Sequence, residues 1–325
     1  MQEQESIKAI PSNRLQFFPI MMFATIMGLG GLTLVYERMS SVFSFPIFIS
    51  SIMIAISTFL FFVVLFFYIL KLIKYKEEVK KEFSHPVRVN FFAASSISML
   101  ILSIDFRIFN MQIAEIFFLF GAVFHIFFTF YTIKFWINNN LEMQHSNPAW
   151  FIPIVGNLIV PIAGVGFVAN EILYFYFSIG IFFWIILFAI ILNRIIFHNQ
   201  FAPKFMPTLF ILIAPPAIGF ISYIKLTESL DFFAQILFNL GLFFTVLVFV
   251  MYKNFLKIKF FISWWAFTFP MAAVSLSSIL MYELTNYWIY ELFAYVLSTI
   301  TTIIVLLVAI QTIKHMRKKE ICIME

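Results

Sequence analysis

Charge is scarce in this chain. Only 11% of its 325 residues are Asp, Glu, Lys or Arg, against roughly 25% in an ordinary soluble domain. A soluble fold of this length needs a polar skin over its core, and this composition cannot supply one. Cysteine is scarcer still: the single one, Cys322, lies in the C-terminal tail. That excludes a disulfide framework and any cysteine-based metal site. The histidines, His85, His125, His145, His198 and His315, are scattered without metal-ligand spacing, so no metal and no other cofactor is expected. H-E-x-x-H, G-x-S-x-G and P-loop patterns are absent, which argues against an enzyme. Gly164-Val-Gly166-Phe-Val-Ala169 fits G-x-G-x-x-A, yet it lacks the strand and the acidic residue that a dinucleotide site requires. The N-terminal stretch is polar and has no apolar run before a small-residue cleavage site, so no cleavable signal is expected.

What is abundant is apolar. Hydrophobic residues make up 62% of the chain, 48 of them Phe, and mean hydropathy is +0.99. A helix needs about 20 apolar residues to span the hydrocarbon of a bilayer. Ten segments qualify: Phe17–Tyr36, Val42–Leu72, Val87–Ile104, Ile113–Trp136, Trp150–Ala169, Ile172–Ile196, Phe205–Ile224, Phe232–Tyr252, Phe260–Tyr282 and Tyr287–Ile313. The expected organisation is a cytoplasmic tail over 1–16, a transmembrane domain over 17–313 and a second cytoplasmic tail over 314–325.

The charge pattern tests this count independently, because cytoplasmic loops collect Lys and Arg. With the N-terminus inside, ten crossings leave only Arg38, Arg107 and Lys225 on the outer face, and every other Lys and Arg falls inside. Merging or splitting one span would scramble that bias. Trp136, Trp150, Trp264, Trp265 and Trp288 fall near span ends, where aromatic belts form. The net charge of +5 then follows from topology, and no nucleic-acid partner is expected.

Proline divides the helices into two classes. Pro19, Pro153, Pro161, Pro207, Pro215, Pro216 and Pro270 all fall in odd-numbered segments, where most of the glycines also lie. An interior proline deletes a backbone hydrogen bond, and in lipid the freed carbonyl must find another partner. The expected fold is therefore all-α and integral to the membrane, ten transmembrane helices as five helical hairpins around a central pore. Odd helices line the pore and even helices face lipid. Candidate lining or kink residues are Gly28, Pro153, Asn157, Pro161, Pro215, Pro216 and Pro270, with Thr25, Thr33, Ser95, Ser96, Ser98, Ser222, Thr268, Ser275, Ser277 and Ser278 as neutral polar groups on the path. The odd helices carry no ionisable side chain away from their ends, and coupled carriers place such groups at mid-membrane. A passive route is the expectation.

His85 and Arg88, at the inner start of the third helix, are candidates for a pore mouth that attracts anions. The Lys71–Lys81 run reads as a solvated helix extension. His125 is expected to hydrogen-bond across helices, and Asp105 and Arg107 to form a local ion pair.

Four stretches occur in a distinctive order: Lys76-Glu-Glu-Val-Lys-Lys-Glu-Phe-Ser-His-Pro-Val-Arg-Val-Asn90, Asn147-Pro-Ala-Trp-Phe-Ile-Pro-Ile-Val-Gly-Asn-Leu-Ile-Val-Pro161, Ala214-Pro-Pro216 and Trp265-Ala-Phe-Thr-Phe-Pro270. Together they resemble the tellurite-resistance/dicarboxylate transporter family, which includes bacterial TehA proteins and the plant slow-type anion channels. The resemblance implies ten helices in five hairpins around a pore, usually as a homotrimer in the plasma (bacterial inner) membrane. It also implies conduction of small anions such as chloride, nitrate or malate, gated by a phenylalanine on the ninth helix. By motif that gate is Phe269. The alternative within the same fold is a proton-linked C4-dicarboxylate (malate) carrier or a tellurite-resistance transporter.

Overall fold

The computed structural model describes residues 13–256 and 258–323. Residues 1–12 and 324–325 of the expected tails, with Lys8, and also Lys257 of the charge pattern, lie outside the described residues. Among those described, every regular element is helical, apart from one isolated bridge between Val165 and Val168. In chain order the α-helices are α1 (Phe23–Phe43), α2 (Phe48–Lys74), α3 (Lys76–Phe83), α4 (Ala93–Phe106), α5 (Met111–Asn138), α6 (Ile152–Val155) and α7 (Ile159–Gly164). There follow α8 (Asn170–Phe197), α9 (Ala214–Thr227), α10 (Phe232–Val250), α11 (Thr268–Thr285) and α12 (Trp288–Arg317). Nine helical spans among the described residues are long and apolar enough to cross a membrane, and Pro148–Gly164 is a shorter apolar one.

That shorter stretch stands where a fifth transmembrane helix, with Pro153 and Pro161 as candidate kinks, is expected over Trp150–Ala169. It runs as a 3-10 turn (Pro148–Phe151), α6, a second 3-10 turn (Gly156–Leu158) and α7. Pro153 and Pro161 each withhold a backbone donor, so α-helical bonding cannot run unbroken through them. Asn157 repairs the break: its side-chain amide donates to the carbonyls of Pro153 (3.1 Å) and Ile154 (3.0 Å) and to Thr129 Oγ1 of α5 (3.0 Å). Gly166, at φ 87°, then turns the chain toward α8, in a backbone region that L side chains avoid. Another boundary moves as well. α1 continues past Tyr36 to Phe43, carrying Glu37 and Arg38 in helical register, and Pro46 falls in the link before α2 rather than inside it.

Burial separates the helices as proline did. Of the most apolar stretch of each span, 72% is buried in Ile20–Phe43, 78% in Arg88–Phe106, 89% in Pro203–Thr227 and 72% in Ile262–Thr285, whereas the others lie between 28% and 39%. The poorly buried helices expose Phe59, Phe66, Phe120, Phe130, Phe182 and Phe243, an apolar surface that suits lipid and not water. α1 packs against α4 and α11, α4 against α7, α7 against α9, and α9 against α11. The buried segments therefore close on one another as a ring. Each also packs against the exposed helix that follows it.

Each buried segment begins in a 3-10 stretch: Ile20–Met22, Arg88–Phe92, Pro148–Phe151, Pro203–Ile213 and Ile262–Phe267. Glycine sets the close approaches within the ring. A Cβ at Gly28 would stand 2.2 Å from Thr268 Oγ1 and 2.9 Å from the Trp265 ring, so α1 meets the start of α11 nearly backbone to side chain. Gly28→Ala is expected to cost about 1–3 kcal/mol through overpacking, read as a lower unfolding temperature of the detergent-purified protein. An unchanged midpoint would mean that the two helices are not held this closely.

Several polar residues are placed otherwise than expected. Thr25, Thr33, Ser95, Ser96, Ser98, Thr268, Ser275, Ser277 and Ser278 turn their hydroxyls onto carbonyls of the preceding turn. They satisfy their own helices rather than furnish a polar lining. Trp265 is buried and donates to Thr312 Oγ1 of α12 (3.0 Å), so it is no belt residue. Lys71 is not part of a solvated extension either. It is buried, 2.9 Å from Glu82 Oε2, and also donates to the Phe18 carbonyl. Farther along, Lys80–Glu77 and Lys81–Glu78 are the exposed helical pairs such a run produces.

Candidate functional site

Inside the ring lies an apolar cavity of about 60 Å³. All five buried segments contribute to its wall: Met27 from α1, Ala94 from α4, Val155 from α6, Ile211 from the 3-10 stretch before α9, and Phe269 with Pro270 from α11. A neighbouring cavity of about 50 Å³ shares Met21, Phe91, Ile262 and Ser263 with it and adds His85, Arg88 and Lys204. Since the shared residues sit at the starts of the buried segments, the basic cavity is the mouth of the apolar one.

Phe269 marks the other end. Along the first buried segment the apolar cavity reaches from Met21 to Met27, and one turn farther a Cβ at Gly31 would lie 3.2 Å from Phe269 Cδ2. The ring thus rests on a residue with no side chain, and it is itself buried. Pro270 has no N–H to offer the Ala266 carbonyl, and both residues line the cavity.

At the mouth, His85 Nδ1 accepts the backbone N–H groups of Val87 (3.1 Å) and Arg88 (3.3 Å). That places the ring proton of the neutral imidazole on Nε2. Partial burial, and then the positive charges of Arg88, His145 and Lys204, hold the imidazole below its usual pKa. His85 is therefore neutral at neutral pH, and Arg88 and Lys204 are the cationic side chains lining the mouth among the described residues. The starts of the five buried segments pack against one another at this end, so the positive ends of their helix dipoles gather there.

The structure brings together only some of the residues singled out in the sequence. Phe269 and Pro270 meet in the cavity, and His85 and Arg88 at its mouth. Gly28 faces Thr268, Asn157 faces α5, and Pro153, Pro161, Pro215 and Pro216 stand outside the lining as kink or helix-start residues. Lys204 was missed because it falls just before the expected seventh span, where it reads as an ordinary inside charge, whereas the structure places it in the 3-10 start of that segment. His125 does bond across helices, Nδ1 to Ser96 Oγ at 2.9 Å, with its ring against Gly156. The expected Asp105–Arg107 ion pair is not formed. Arg107 instead donates to the carbonyls of Ala163 and Val165 where α7 ends, and lies over the Phe167 ring, while both oxygens of fully buried Asp105 lack a hydrogen-bond partner among the described residues. Helix-end carbonyls need a donor, and Arg107 supplies it.

Comparison with known proteins shows the family. A family model described as a voltage-dependent anion channel, SLAC1, matches residues 17–313. An uncharacterized transporter of Methanocaldococcus jannaschii is 30% identical, over 83% of this chain and 86% of its own length. The S-type anion channel SLAH3 of Arabidopsis thaliana is 24% identical over 92% of this chain, which spans only 48% of that longer protein. A tellurite resistance protein TehA homolog of Haemophilus influenzae is 24% identical, over 86% of this chain and 85% of its own length. By the match across nearly its whole length, this chain is a member of the SLAC1 family of anion channels and transporters.

Proposed function

We propose that this protein is a passive channel for small anions, with the cavity inside the ring as its pore and Phe269 as its gate. The observation that carries this reading is the cavity itself: an apolar path lined by all five buried segments, with Arg88 and Lys204 at one end and an aromatic ring at the other. An apolar constriction blocks ions by excluding water, and moving one ring aside restores a wet path. Cations and helix N-termini gather anions at the mouth without a tight site, as rapid passage requires. A lining that offers few hydrogen bonds replaces little of the hydration shell, so weakly hydrated anions such as nitrate pass more readily than chloride.

The broken fifth segment is the tenth crossing in this reading. Counting ~2.0 Å per 3-10 residue and ~1.5 Å per α residue, Pro148–Gly164 reaches up to about 29 Å, close to the ~30 Å of the hydrocarbon. Ten crossings put both termini in the cytoplasm and the basic mouth on the inner side, in keeping with the charge pattern. A plasma (bacterial inner) membrane location and a homotrimeric assembly follow the family resemblance. Chloride, nitrate and malate-like organic anions are the substrates to test.

Recording the purified protein in a planar bilayer tests the proposal. The reversal potential should follow the anion gradient, for both chloride and nitrate. Currents that follow the cation gradient would refute it. Arg88→Ala should reduce anion flux severalfold at low ionic strength and have little effect at about 1 M salt, where the Debye length falls to about 3 Å. An equal loss at both salt concentrations would remove the electrostatic role of the mouth.

A further inference from the structure

Asp105 is the least explained group in the fold. Near the end of α4, it is fully buried, and neither carboxylate oxygen has a hydrogen-bond partner among the described residues. An ionised carboxylate in such a place is costly unless something pairs with it. The groups around it do not pair with it. On α1, Glu37 lies within electrostatic reach and carries the same sign, while Arg38 is engaged by Glu283. On α5, Glu115 is exposed and His125 is held by Ser96. α6 and α7 contribute no ionisable residue, the lysines of α2 lie at its far end, and Arg107 is spent on the carbonyls of Ala163 and Val165. On one side Asp105 Oδ2 packs closely on α1, 3.3 Å from a Cβ placed on Gly30. A bound proton removes the charge and needs no added room.

The neighbour of Gly30 gives this position a consequence. Gly30 faces Asp105 and Ile101 of α4, and Gly31 faces Phe269 and Ala272 of α11. Two successive glycines of α1 are thus clasped between a buried carboxyl and the ring at the end of the cavity. We propose that Asp105 is a proton-binding site of the pore wall, and that Gly30 and Gly31 transmit its protonation state to Phe269. With the proton bound, the neutral acid packs against Gly30, and α1 holds the floor beneath the ring. When the proton leaves to water, the carboxylate must be hydrated, which the closed packing of α1 on α4 forbids. Ionisation therefore favours a state in which α1 has shifted and the ring has lost its seat. The second half of this inference rests on the gate reading of Phe269; the proton site does not.

The test has two arms. Asp105 and Asp231 are the only aspartates in the chain, and Asp231 is exposed. Infrared spectroscopy of reconstituted wild-type protein carrying carboxyl-¹³C aspartate should show one protonated and one ionised aspartate at neutral pH. Two ionised aspartates would overturn the proton site without any mutation. In the second arm, anion flux through wild type should rise severalfold as the pH is raised. Asp105→Asn should stay at the low acid-side level throughout, and Phe269→Ala should be high and flat. A pH response retained in Asp105→Asn would overturn the coupling. Low flux in Phe269→Ala, alongside a protonated Asp105, would sink the gate reading and leave the proton site standing.

Discussion

Phe269→Ala should raise basal anion flux by an order of magnitude or more, since a hydrophobic gate blocks by dewetting and its removal leaves a continuous wet path. The ring is buried, seated on Gly31, and opens on its other side to the apolar cavity. Because one side of the ring already lacks packing partners, the stability cost should fall below the ~3–5 kcal/mol of a fully packed Phe→Ala. Phe269→Leu should give an intermediate flux, as a smaller plug over the same floor. Liposome efflux with a halide-sensitive dye measures all three proteins. A folded alanine variant with wild-type flux would show that the ring is packing and no more.

The largest loss of stability is expected at the opposite end of the sequence logic, in a charge pair that hydropathy treats as surface. Lys71 and Glu82 are buried 2.9 Å apart, with side-chain exposures of 1% and 7%. Tyr68 donates to the same Glu82 oxygen, and Lys71 also reaches the Phe18 carbonyl ahead of α1. Lys71→Ala leaves a buried carboxylate with a single neutral donor and frees the chain leading into α1. A loss of about 3–5 kcal/mol is expected. Replacing both partners by apolar residues, Lys71→Met with Glu82→Leu, should recover most of it, because the desolvation cost leaves with the charges. Lys80→Ala, in an exposed pair on α3, should be indistinguishable from wild type. Thermal unfolding in detergent compares the four. If Lys71→Ala unfolds with the wild type, the pair is not buried as described.

What could be read from the sequence follows a physical line. Hydropathy measures the cost of moving a segment out of water, so it located the spans. Proline reports where backbone donors are missing, so it separated the buried helices from the exposed ones. Neither measures which way a side chain points. Ser96, Ser98, Ser275 and Ser278 read as polar lining, yet each hydroxyl bonds a carbonyl one turn back. The wall is made by Met27, Ala94, Val155 and Ile211, residues that nothing in a chain so rich in apolar side chains distinguishes. The break at α6 and α7 had its signal in Pro153, Gly156 and Pro161, but a window of hydropathy averages over it. Asp105 was legible as a carboxyl beside an arginine. That Arg107 would prefer the carbonyls of Ala163 and Val165 depends on where α7 ends in space, which only the fold supplies.

The central claim is passive conduction, and an imposed pH gradient tests it most directly. In proteoliposomes holding equal chloride, nitrate or malate on both sides, a proton gradient with the membrane potential clamped at zero should change the rate of anion exchange but drive no net accumulation. Uphill accumulation of malate or any other anion under that gradient would contradict a channel and establish a proton-coupled carrier.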